Sequence, residues 1–146
     1  MCASSVATLQ MLRKIANQRN HDHGHKAKRG MRERWADGIH GLMGEIALAR
    51  ALNLPWTPGG LFVSRGDVAN KIEVRATEYA SGHLLIYEDD ENDSPFVLMT
   101  GHYPVFRIAG AIRAGLAKEH GAWWKPNADP PCWWVPQFAL SEIDDV

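Results

Sequence analysis

Residues 66–75, Gly66-Asp67-Val68-Ala69-Asn70-Lys71-Ile72-Glu73-Val74-Arg75, mark the point where the chain changes its period. Upstream, Trp35, Ile39, Leu42, Met43, Ile46, Ala49 and Leu52 recur at helical spacing. They predict a helix beginning near residue 31 or 35 and ending at 52, before Pro55 and a turn at Pro58-Gly59-Gly60. Downstream, Ile72, Val74 and Ala76 alternate with Glu73, Arg75 and Thr77, the period of a strand with one face on a core. Residues 61–64, 83–87, 96–100 and 105–109 read as further strands, and 110–119 as a short helix. The fold class is therefore α/β, a mixed sheet flanked by helices.

Working outward, residues 5–19 place Val6, Leu9, Leu12 and Ile15 at helical spacing behind Ser4 or Ser5 as N-cap, which predicts an N-terminal helical extension. Residues 20–30 are aperiodic, basic and contain two glycines, so they read as a loop. The acidic run 88–93 lacks the glycine and spacing of a calcium loop and reads as a solvated turn. The tail, with Trp123, Trp124, Trp133 and Trp134 among prolines, predicts an irregular wrap closing over the sheet, with a short strand at 133–135. One domain is expected, with a basic extension (1–34), a core (35–120) and a Trp/Pro-rich tail (121–146).

The 146 residues suffice for a buried core, and no apolar run approaches the ~20 residues that span a bilayer. Arg13 and Lys14 interrupt any signal-type apolar stretch, so no membrane partner and a cytoplasmic location are expected. Cys2 and Cys132 form no ligand spacing. The net charge of −1 divides unevenly, +5 over residues 1–40 and −6 over 41–146. That asymmetry suits phosphate contacts on one side and carboxylate chemistry on the other, and equally a solvated helix face followed by a loop.

Three acids stand out. A turn through Ala69-Asn70 would return the Asp67 carboxylate beside Glu73, and two hard oxygen ligands suit Mg²⁺ or Mn²⁺. The bland reading is an edge salt bridge of Glu73 with Arg75 or Lys71. Glu45 lies among Gly41, Leu42, Leu48 and Ala49 on the helix, facing the core, where a carboxylate needs a cation, a donor or a metal. Its bland reading is an ion pair with Arg75 or Arg107.

Gly44-Glu45-Ile46-Ala47 on a helix, Gly66-Asp67-Val68 opening a hairpin and Ile72-Glu73-Val74-Arg75 on the next strand resemble the PD-(D/E)XK, or restriction-endonuclease-like, nuclease superfamily across roughly residues 35–90. The resemblance implies a restriction-endonuclease-like core, with Asp67 and Glu73 as metal ligands and Glu45 supporting them. It also implies a Mg²⁺- or Mn²⁺-dependent deoxyribonuclease with DNA as substrate. Arg75 stands where that family carries lysine. Arginine stays charged and cannot readily act as a base, though it can position water and neutralise phosphate. Lys71, on the same alternating face, is the alternative, and a nuclease-fold protein that binds nucleic acid or a protein partner without cutting is the competing reading. A stand-alone nuclease of this size suits a phage or mobile element by fold-level analogy.

Lys26, Lys28, Arg29, Arg32 and Arg34 are the expected phosphate contacts, giving sequence-independent, salt-sensitive affinity. A homodimer is compatible with the same reading. His21, His23 and His25 read as a solvated or phosphate-contacting string, and His40 and His83 as locally paired side chains. The tryptophan pairs can stack bases, but closure of the core is the reading preferred here.

Overall fold

A computed structural model describes residues 31–56, 68–69, 71–124 and 131–145, with side chains for those between 38 and 144. Helix α1 (Met31–Leu52) is followed by strands β1 (Glu73–Thr77), β2 (Leu84–Tyr87), β3 (Pro95–His102) and β4 (Val105–Arg113). Helix α2 (Ala114–His120) and strands β5 (Ala122–Trp124) and β6 (Cys132–Val135) complete the order, with 3-10 turns at Gln137–Ala139 and Ile143–Asp145. Two three-stranded sheets result. In the central one β3 lies between parallel β1 and antiparallel β4; in the second, β6 lies between β2 and β5, both antiparallel to it. The expected extension helix at 5–19, the strand at 61–64 and the 20–30 loop lie outside the described residues. No helix among the described residues is long and apolar enough to cross a membrane.

The helix ends as its sequence dictates. Asn53 takes a left-handed conformation (φ 53°), and the Leu54 N–H reaches back to the Ala49 carbonyl at 2.9 Å. That is the cap by which a helix satisfies its last carbonyls, and asparagine tolerates it better than other non-glycine residues. Leu48 and Ala49 are buried against the central sheet, and Leu42 is buried beside Trp56. A side chain at Gly44 would begin with a Cβ 3.0 Å from that of Ala76, so the absence of one sets how closely α1 approaches β1.

The central sheet is covered on both faces. Val97, Met99 and Ala111 join Leu48, Ala49 and Val68 in the layer beneath α1. Phe96, Leu98 and Ile112 point the other way and pack with Leu84, Ile86, Val135, Ala114 and Ala117 of the second sheet and α2. Strand β3, buried along residues 95–100, therefore reads as an apolar run from Pro95 to Met99. An irregularity opposite Leu98 and Met99 leaves Ala109 as the extra residue of β4, next to Gly110 at φ +150°. A Cβ on Gly110 would fall 2.6 Å from that of Leu140, which explains a glycine inside a strand.

Three expectations change. Residues 110–113 continue β4, and only from Ala114 is the chain helical, because Ala111 is drawn into the sheet by reciprocal hydrogen bonds with Ser141 at 2.8 and 2.9 Å. The tail is more regular than an irregular wrap: the expected strand at 133–135 is β6, and it pairs with β5 and β2. The acidic turn is not simply solvated. Lys118 Nζ donates to the carbonyls of Glu88 and Asp90 and to Asn92 Oδ1 at 3.0, 2.6 and 2.9 Å, and Arg113 donates to the Asp93 carbonyl.

Two stability measurements check these assignments. Gly44→Val should push α1 off β1 and cost about 1–3 kcal/mol, read as a lowered thermal midpoint. An unchanged midpoint would show that the close approach is not maintained. Lys118→Met should cost about 1–2 kcal/mol and speed hydrogen exchange selectively in residues 88–94. Uniform exchange across the chain would argue against Lys118 as the organiser of the turn.

Candidate active site

Glu45 is 4% exposed, and Trp56 Nε1 donates to its Oε2 at 3.0 Å. The indole is held in place from two sides: its ring packs with Leu42 and the layer beneath α1, and its backbone bridges Val68. Val68, fully buried, bridges in turn to Ile72, each N–H donating to the other's carbonyl at 3.0 Å. Ala69 at φ 55° and Lys71 form the turn between them. This tight turn delivers the chain into β1 one residue before Glu73.

Asp67 lies outside the described residues. The bridges Trp56–Val68–Ile72 join the partner of Glu45 to the residue that precedes Glu73.

The pleat adds a constraint. Register pairs Glu73 with Phe96 and Arg75 with Leu98, so both point toward the second sheet, whereas Val74 and Ala76 pack toward α1. Glu45 approaches from the α1 side. Among the described residues no three histidine, cysteine or acidic side chains are grouped to hold a metal.

Arg75 is engaged elsewhere. Its Nη2 contacts both oxygens of Asp90 at 2.9 Å, and its guanidinium carbon lies 5.3 Å from the Tyr87 ring centroid and 5.1 Å from that of Phe96. Asp90 also accepts the Tyr87 N–H at 2.8 Å. Arg75 Nε is buried and takes no hydrogen bond among the described residues. Arg107 donates to Gln137 Oε1 at 2.6 Å. Arg75 is thus paired with Asp90, Arg107 bonds to Gln137, and Glu45 accepts from Trp56. The sequence signal for Asp90 was its place in an acidic run, which gave no hint of which acid would turn inward.

Lys71 is exposed in the turn rather than on the strand. His40 Nε2 lies 2.7 Å from the Gly101 carbonyl oxygen and its ring packs by Phe106, while His83 stacks on Trp134, so both are locally paired as expected. Lys26, Lys28 and Arg29 lie outside the described residues; Arg32 and Arg34 are on α1, with side chains that also lie outside them. No family model, curated protein or solved structure matches the chain.

Proposed function

We propose that the protein is a metal-dependent nuclease of the PD-(D/E)XK kind, hydrolysing DNA phosphodiester bonds. The observation that carries this reading is the turn before β1, through which Trp56 ties Glu45 to the residue that precedes Glu73. A carboxylate donor set fits a hard ion, Mg²⁺ or Mn²⁺, better than zinc. Asp67 and Glu73 would hold it, with Glu45 supporting them directly or through water. Bound there, the ion would polarise a phosphoryl oxygen and lower the pKa of an attacking water.

The chain's own residues set the remaining terms. Trp56 fixes one oxygen of Glu45 by a hydrogen bond and keeps that carboxylate in an apolar layer, where its charge is felt strongly. Arg75 places a permanent positive charge on the strand of Glu73, and Asp90 offsets that charge. The basic residues Lys26, Lys28, Arg29, Arg32 and Arg34 supply phosphate contacts along the duplex.

The Arg75–Asp90 pair favours a second reading, a nuclease-fold protein that binds nucleic acid or a protein partner without cutting. An arginine already held by a carboxylate is poorly placed to serve a scissile phosphate.

Cleavage of linear, circular, single-stranded or branched DNA should appear with Mg²⁺ or Mn²⁺ and stop with EDTA. Asp67→Ala or Glu73→Ala should lower the rate about 100-fold or more. Arg75→Lys, restoring the family's residue, should retain or raise activity. Absence of cleavage on all four forms, with salt-sensitive DNA binding retained, would overturn the nuclease reading in favour of the second.

A further inference from the structure

Arg75 gives Asp90 less than a guanidinium can give. A guanidinium presents N–H donors on Nε and both Nη atoms, and a fork-to-fork pair with a carboxylate engages a pair of those nitrogens in parallel. Here Nη2 alone donates to Asp90, to both oxygens at 2.9 Å, and Nε is buried with no acceptor among the described residues. The rings of Tyr87 and Phe96, 5.3 and 5.1 Å from the guanidinium carbon, also hold the cation. Those contacts do not depend on the carboxylate. The Arg75 side chain is 37% exposed, against 15% for Asp90, so an ion from solvent can reach it.

The carboxylate is placed by its turn. Of the acids in residues 88–93, Glu88, Asp89, Glu91 and Asp93 are exposed and Asp90 alone turns inward. It accepts the Tyr87 N–H at 2.8 Å, and Lys118 Nζ anchors the turn through the Glu88 and Asp90 carbonyls. An oxyanion is thereby held against a cation that has donors to spare, with further negative charge around it. A phosphodiester approaching Arg75 would have to displace that oxyanion. It would do so on the face of β1 that Arg75 shares with Glu73.

We infer that the Arg75–Asp90 pair is an autoinhibitory contact: Asp90 occupies the place of a DNA phosphate on Arg75, and the acidic turn repels a strand that has not displaced it. The inference rests on the nuclease reading, which puts a phosphate on the face of Glu73. Binding of DNA exchanges one oxyanion for another on Nη2. Asp90 keeps its bond from the Tyr87 amide, and the rings keep the guanidinium in place.

The experiment follows a labelled DNA duplex by anisotropy over a range of salt, in EDTA, with the full chain and its variants. Asp90→Asn should tighten binding about 10-fold at low salt and steepen the slope of log affinity against log salt by about 1. The amide can still accept from the Tyr87 N–H, so the turn should close. Asp89→Asn removes the same charge from an exposed place on the turn and should gain much less. Arg75→Gln alone should change affinity little, because Asp90 already holds that cation. In the Asp90→Asn background it should cancel the gain. Equal gains from Asp89→Asn and Asp90→Asn, or a gain that survives Arg75→Gln, would overturn the inference. Should Asp90→Asn not fold, Lys118→Met loosens the same turn. It should tighten binding although it removes a positive charge, and weaker binding there would overturn the inference. Metal is withheld, so the two readings fail separately. Unchanged affinity in Asp90→Asn beside wild-type cleavage overturns the inference alone. An Arg75-dependent gain without cleavage of any DNA form supports it and overturns the nuclease reading alone.

Discussion

The distance between α1 and the central sheet is set at Gly44, where a hydrogen replaces the side chain that would press on Ala76. Everything proposed for the site inherits that distance. Glu45 follows Gly44 directly, so the depth of its carboxylate is fixed by the same contact. Its hydrogen bond from Trp56 then ties the helix to the hairpin that leads into β1. A buried carboxylate so placed is costly unless its surroundings answer its charge, and the Trp56 indole supplies one such answer from a rigid ring.

A second constraint binds the two sheets. Arg75 leaves the central sheet, lies between Phe96 of that sheet and Tyr87 of the other, and ends on Asp90. Asp90 closes the turn through the Tyr87 amide, and Lys118 holds the same turn from α2. Arginine suits this place because its flat, weakly hydrated guanidinium can pack on rings while pairing with a carboxylate. Lysine would lose most of that packing. Arg75 therefore has a structural role of its own, joining the two sheets.

The elements with a strong period were legible from the sequence. Helix α1 ends at Leu52 because its apolar spacing and Pro55 agree, and β1, β2 and β3 follow their alternating or apolar runs within two residues. Residues 110–113 were not legible: Gly110-Ala111-Ile112 resembles a helix start, and the pairing with Ser141 that makes it a strand is thirty residues away. The same limit explains β5, a short tryptophan-rich segment that becomes a strand only by pairing with β6. At the site, Glu45 was legible from its apolar neighbours on one helix face. The indole that answers it, and the inward turn of Asp90, depend on contacts between segments that no local pattern records.

The connection between the parallel strands β1 and β3 is usually a helix, and here it contains β2, a strand that belongs to the other sheet. Leu84 and Ile86 on that connection find their partners only in Val135 and Trp133, about fifty residues later. During synthesis the face of the central sheet bearing Phe96 and Leu98 stays uncovered by β6 until residues 132–135 have emerged. Such long-range pairing slows folding, since loop closure must precede the contacts that reward it. Among the described strands, the latest in the chain is the middle strand of its sheet.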